Sequence, residues 1–152
     1  MRVGIIGLGS IAKKAYLPVI TAMPGVTPVL VSRNPRTLAT VGAAYRTPDR
    51  FESDQDAISS GLDAALVHTP SETHPEIVAA LLRSSVPVLV AQPFPPHHAT
   101  VPHLLSLACE LGLPLLVRAG APLPPALIRL HPMLLRPPAA PPRPRPPPGR
   151  RV

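Results

Sequence analysis

The residues best placed to do chemistry are Gly7, Gly9, Ser10, Ile11 and Ala12, in the run Gly7-Leu8-Gly9-Ser10-Ile11-Ala12 directly after the apolar stretch Val3–Ile6. A buried strand, a glycine-rich turn and a helix opening, in that order, are what a dinucleotide pyrophosphate requires. Gly7 permits the tight turn. Gly9 has no side chain to hold phosphates away from the backbone, and Ala12 is small enough for the helix to pack close to the strand. The opening turn of the helix presents unpaired N–H groups and a partial positive charge to the anion. A Gly-x-Gly turn also serves as a plain strand-to-helix joint. Its place within seven residues of Met1, and Ser32-Arg33-Asn34 at the distance where such folds contact the ribose, favour the binding role. A hydroxyl and a guanidinium suit a 2′-phosphate better than a 2′-hydroxyl, so NADP is the expected cofactor, with NAD possible.

Other reactive side chains carry weaker patterns. Thr69-Pro70 and His74 follow a predicted strand on the same side of the sheet, and His74 reads either as a cofactor neighbour or as a solvent-exposed helix start. His97, His98 and His103 have no acids or second cysteine nearby, so no metal site is expected. Cys109 is the single cysteine and has no base partner; it excludes an internal disulfide framework and suits a reducing compartment. Lys13-Lys14 reads as a solvated helix face with phosphate in reach.

The elements that must position these residues alternate along the chain. A helix is expected over Ser10–Met23, with Pro18 as a kink and Pro24-Gly25 as the stop. Strand two is expected at Pro28–Ser32, a helix after Asn34-Pro35, a short third strand at Ala44-Tyr45-Arg46, and a helix over Ser53–Ser60 capped by Ser53. Ala64–Val67 is strand four, followed by a helix over His74–Ser84 with Thr73 and Glu76 at capping-box spacing. Val86–Val90 is strand five, Ala99–Leu111 a helix stopped by Gly112, and Leu113–Val117 strand six. Continuous aliphatic strands separated by helices predict an α/β fold, a doubly wound parallel Rossmann sheet of order 3-2-1-4-5-6 with helices on both faces.

The net charge of +7 is uneven. Residues 1–120 carry nine Lys/Arg against eight Asp/Glu, whereas residues 121–152 carry six Arg and no acid. The fold itself is nearly neutral, which disfavours a nucleic-acid role. Residues 1–120 are therefore expected to form the domain and 121–152 a disordered Pro/Arg-rich tail. That tail reads either as a polyproline or polyanion contact, or as the product of a shifted frame in a GC-rich gene. No signal peptide or membrane-length apolar run is apparent, so a cytoplasmic protein without a membrane partner is expected, possibly homo-oligomeric.

Four stretches together carry a family likeness: Val3–Ala12, Leu30–Asn34, Val67-His68-Thr69-Pro70 with His74, and Val88–Pro93. Over Met1 to about Val117 the chain resembles the nucleotide-binding half of the glucose–fructose oxidoreductase, inositol dehydrogenase and MocA (Gfo/Idh/MocA) oxidoreductases. The resemblance implies NAD(P) binding and hydride transfer on a sugar, polyol or similar small molecule, with Gln92 and Pro93 near the nicotinamide. Two departures stand out. The family's Glu-Lys-Pro reads Ala91-Gln92-Pro93 here, so no catalytic residue is assigned, because Gln92 donates a hydrogen bond but carries no charge. The family's substrate domain has no counterpart after strand six, so the chain is expected to be truncated and weak or inactive alone. The alternatives are a non-catalytic dinucleotide sensor and an interaction protein acting through its tail.

Overall fold

Aliphatic runs too short for helices form the sheet. In a computed structural model, which describes residues 1–91 and 100–118, β1 (Arg2–Ile6) lies at its centre. β2 (Thr27–Val31) and β3 (Arg50–Phe51) extend it on one side, and β4 (Ala64–Val67), β5 (Val88–Ala91) and β6 (Leu115–Arg118) on the other. The order is β3-β2-β1-β4-β5-β6 and every pairing is parallel, as expected from the alternation of elements. Register places Ile5 beside Leu30 and Leu66, and Ile6 beside Val31 and Val67. Alternate residues therefore feed opposite faces.

One face packs Ile5 and Leu30 against Leu8, Ala12, Tyr16, Leu17, Leu38 and Val41. These come from a helical stretch opening at Ser10 and from α2 (Pro35–Ala44). The other face packs Val31, Val67, Val88 and Val90 against α3 (Asp54–Ser59), α4 (His74–Arg83) and α5 (Thr100–Leu111), through Ala57, Val78, Leu81, Leu82 and Leu104. With both faces covered, continuous apolar strands are the only sequence that suits the sheet. Truncating one of the fully buried leucines, Leu81 or Leu82, to alanine costs roughly 2–5 kcal/mol. Pro28 is tolerated inside β2 for a geometric reason. The N–H groups of Leu30 and Ser32 point to Asp49 and Phe51 beside β3, so a residue-28 N–H would face the same side, where β3 has not begun.

The first helix departs from a regular α-helix over Ser10–Met23. It contains a π-helical turn, Ala12–Tyr16, followed by α1, Leu17–Ile20. Pro18 has no N–H for an i→i−4 bond, and the chain widens just before it, with Leu17 N–H donating to the Ala12 carbonyl. The helix ends at Ile20 in tight turns leading to Gly25, whose φ is +76°.

The expected third strand at Ala44-Tyr45-Arg46 is a helix end instead. Arg46 takes φ +52°, Thr47 N–H reaches the Gly42 carbonyl at 2.9 Å and Arg46 N–H the Ala43 carbonyl at 3.2 Å. That is a Schellman closure. β3 follows later, as two residues pairing with Leu30 and Val31. Ser53 caps α3, accepting from Asp56 N–H at 3.4 Å, and Asn34 caps α2, accepting from Thr37 N–H at 3.1 Å. The expected capping box at Thr73 does not form. A 3₁₀ turn, Ser71–Thr73, already holds Thr73 in helical geometry, and its hydroxyl donates to the Pro70 carbonyl at 2.8 Å. Strands five and six begin about two residues later than expected.

Candidate functional site: a crevice at the strand ends

All strands being parallel, their carboxyl ends lie along one edge, and the chain leaves the centre in opposite directions from β1 and β4. A crevice opens at that switch point. It is a cavity of about 920 Å³ whose walls come from the turns after β1, β2, β3 and β4.

The turn after β1 forms the floor. Gly7 and Gly9 both line the crevice, yet their lack of a side chain serves different ends. Gly7 takes φ +94°, and a Cβ there would lie 2.8 Å from the His68 carbonyl carbon and the Thr69 nitrogen. It therefore lets β1 end against the backbone leaving β4; Gly7 N–H donates to Val31 and His68 N–H donates to Ile6. At Gly9 a Cβ would meet nothing within 4 Å, so the space above it is open crevice. Ala12 is fully buried in the core beside Leu8 and Tyr16, in the small-residue packing role expected of it. Ser10 and Ile11 are exposed and line no part of the cavity through their side chains.

Ser32, Arg33, Asn34 and Thr37 form the wall after β2. The Ser32 hydroxyl accepts a long bond of 3.3 Å from Asn34 N–H, which folds the chain into α2. Arg33 is exposed, and among the described residues it makes no ion pair. Opposite stand Glu52, Asp54 and Gln55, from the junction of β3 and α3. Sequence reasoning missed this acidic wall. A parallel order with β3 outermost would have disclosed it, had β3 been placed at Arg50 rather than Ala44.

His68, Thr69, Pro70 and Thr73 line the side after β4. The His68 ring packs at a tilt of 47° against that of buried Tyr16, with centroids 4.3 Å apart. The Thr73 hydroxyl lies 2.8 Å from both the Thr69 hydroxyl and the Pro70 carbonyl and shares its proton between them. His74 is neither an exposed helix start nor a crevice residue. It is 1% exposed, and its Nε2–H donates to the Thr69 carbonyl at 2.7 Å, fixing the loop from behind. Burial holds its pKa below the ordinary 6.5, against the raising effects of that carbonyl and of Glu72. Because a carbonyl can only accept, Nε2 carries a proton in this bond.

Gln92, Pro93, His97, His98 and the region after Arg118 lie outside the described residues. Among the described residues no three His, Cys, Asp or Glu come together as metal ligands, and no helix is long and apolar enough to cross a membrane.

The residues present fit a dinucleotide on two observations: the open space over Gly9, where phosphates need close backbone approach, and the crevice lined from the end of β2 to the end of β4. Comparisons with known proteins agree. Residues 1–119 match the Gfo/Idh/MocA sequence profile, described as an oxidoreductase family with an NAD-binding Rossmann fold. A protein from Salmonella typhimurium that bears the name oxidoreductase YceM is 34% identical over 127 residues, spanning 81% of this chain and 41% of its own length. The crystal structure of a Gfo/Idh/MocA family oxidoreductase from Vibrio cholerae superposes with a TM-score of 0.74 at 33% identity, over 78% of this chain and 38% of that one. KijD10, a 3-ketoreductase from Actinomadura kijaniata in complex with NADP and TDP-benzene, gives 0.71 at 26% identity, over 78% and 37%. The chain thus spans about two fifths of the relatives it matches. Its fold, its glycine turn and its sequence make it a member of the Gfo/Idh/MocA oxidoreductase family, in which it corresponds to the NAD(P)-binding Rossmann domain.

Proposed function

We propose that the crevice holds NADP in preference to NAD, and that residues 1–120 act as the cofactor-binding domain of an oxidoreductase acting on a sugar, polyol or similar hydroxyl compound. The open space over Gly9 carries the reading. The pyrophosphate lies there, against the turn Gly7-Leu8-Gly9 and the backbone N–H groups of Ser10, Ile11 and Ala12 that open the helix. Ser32 and Arg33 meet the adenosine ribose and its 2′-phosphate. Thr69 and Pro70 border the path toward the nicotinamide, and His74 acts through the Thr69 carbonyl as a positioning residue. Gln92 and Pro93 would follow at the end of β5. When bound, the cofactor supplies or accepts a hydride. The protein's part is to hold and orient it.

Turnover by this chain alone is not expected. Gln92 presents a neutral N–H where relatives carry a lysine, and neutral donors stabilise a developing alkoxide less than a charge does. The same residue favours a second reading, a dinucleotide-binding module without catalysis. Titration of the purified chain with NADP and NAD tests binding, and reduced-nicotinamide absorbance with a panel of sugars and polyols tests turnover. Absence of binding to both dinucleotides refutes the site; steady turnover that is lost in Gly9→Val refutes the inactive reading.

A further inference from the structure

Tyr16 closes the π-helical turn and is 2% exposed, in the aliphatic cluster of Ile5, Leu8, Ala12 and Leu17. A phenylalanine would fill that cluster as well. The tyrosine adds a hydroxyl that is shut off from solvent and has no hydrogen-bond partner among the described residues. Buried tyrosines usually find such a partner, because an unpaired oxygen has lost its hydration for nothing. π-turns also recur at functional sites. The neighbour of this ring is His68, which lines the crevice at the end of β4. The His68 backbone is pinned: its N–H donates to the Ile6 carbonyl at 2.7 Å, and its carbonyl stands where a Cβ on Gly7 would collide. Both ring nitrogens are shielded from solvent, so the imidazole reaches a ligand by turning on its side-chain bonds. A phenol and an imidazole thus stand together behind the β4 side of the crevice, across from the wall formed by Ser32 and Arg33.

We propose that the Tyr16 hydroxyl is a positioning group for His68, and that the pair forms a polar subsite for the nicotinamide half of the dinucleotide. With that half bound, the Tyr16 O–H donates to the unprotonated nitrogen of the imidazole. The ring proton is thereby fixed on the other nitrogen, whose N–H donates to an oxygen of the nicotinamide nucleoside. The half is assigned by place. With the pyrophosphate over Gly9 and the adenosine at Ser32 and Arg33, the end of β4 falls to the second nucleoside. The inference rests on the crevice being a dinucleotide site, and it adds two side chains that the glycine turn does not account for.

The experiment is equilibrium titration of NADP, NAD, 2′,5′-ADP and 5′-ADP against the parent, Tyr16→Phe, His68→Leu and the double variant, with melting temperatures measured on the same samples. Tyr16→Phe keeps the ring and removes no hydrogen bond among the described residues, so the free variant should melt at or above the parent. Its affinity for NADP and NAD should fall roughly 3- to 10-fold, the scale of one net hydrogen bond. The two ADP ligands lack the nicotinamide half and should bind as they do to the parent. In the His68→Leu background, Tyr16→Phe should have no further effect, because the hydroxyl acts through the imidazole. The imidazole ¹⁵N spectrum supplies a second readout, His68 being the signal missing from His68→Leu. Saturating NADP should move that signal in the parent and move it less in Tyr16→Phe. Unchanged dinucleotide affinity in Tyr16→Phe overturns the proposal, as does an equal loss for the ADP ligands or a full loss in the His68→Leu background. A free Tyr16→Phe protein that melts several degrees below the parent gives the hydroxyl a structural partner and also overturns it, as does an equal ¹⁵N shift in parent and variant. A parent that binds neither dinucleotide brings down the crevice reading, and this inference with it.

Discussion

Gly7 and Gly9 sit two residues apart in one turn, and the geometry assigns them opposite consequences on substitution. Gly7→Ala puts a methyl group 2.8 Å from backbone atoms of His68 and Thr69, at φ +94°, where no flexible side chain can give way. The positive φ costs about 1–2 kcal/mol and the overpacking about 1–3 kcal/mol, for a loss of roughly 2–5 kcal/mol. In a domain of this size that lowers the melting temperature by roughly 10 °C or more. Gly9→Ala meets nothing within 4 Å and is not at positive φ, so stability should hold or rise by up to about 1 kcal/mol. Its Cβ enters the crevice instead, and Gly9→Val should abolish dinucleotide binding in a folded protein. Thermal unfolding followed by circular dichroism, paired with NADP titration on the same samples, reads both effects. If Gly7→Ala melts with the parent, or Gly9→Val unfolds as readily as Gly7→Ala, the division of labour in this turn is wrong.

Three further outcomes follow from particular contacts. Arg33→Ala should lower the NADP-to-NAD affinity ratio by roughly tenfold without changing the melting temperature, because the side chain is exposed; equal ratios in parent and variant contradict its placement at the 2′-phosphate. His74 has a folded pKa below 6.5, so the unfolded chain binds the extra proton first as pH falls. Its stability contribution is complete above about pH 6.5 and declines below it toward the depressed folded value, and subtracting the denaturation profile of His74→Gln should remove that slope. Ser85 and Arg46 close helices at φ +61° and +52°, and Ser85→Gly should raise stability by roughly 0.5–1 kcal/mol in urea unfolding, relieving a left-handed residue.

What could be read from the residues alone depended on how local the cause was. Val3–Ile6, Val29–Val31 and Ala64–Val67 are strands because nothing but a doubly covered sheet accommodates such uninterrupted aliphatics, and their order follows from right-handed crossovers. β3 has no such run. Arg50 and Phe51 become a strand only because the Leu30 N–H needs the Asp49 carbonyl and the Ser32 N–H the Phe51 carbonyl, a requirement set by β2 rather than by the segment itself. Misplacing β3 hid Glu52 and Asp54, and with them the acidic wall of the crevice.

The helix ends divide the same way. Gly112 announces a stop by its lack of Cβ, whereas Arg46 and Ser85 form the same closure with ordinary residues, at a strain that the paired carbonyls of Gly42 and Leu81 offset. His74 shows the limit most clearly. Beside Pro75 and Glu76 it has the local look of a solvent-facing helix start, yet it is among the most buried polar residues described. The reason is a long-range one: the loop after β4 must stay tight enough for Gly7 to pass beneath His68 and Thr69, and the Nε2–H bond to the Thr69 carbonyl pulls it back from that path. The glycine turn and the histidine are thus two ends of one backbone contact. A variant that loosens the Thr69 loop should weaken cofactor binding without altering any side chain that lines the crevice floor.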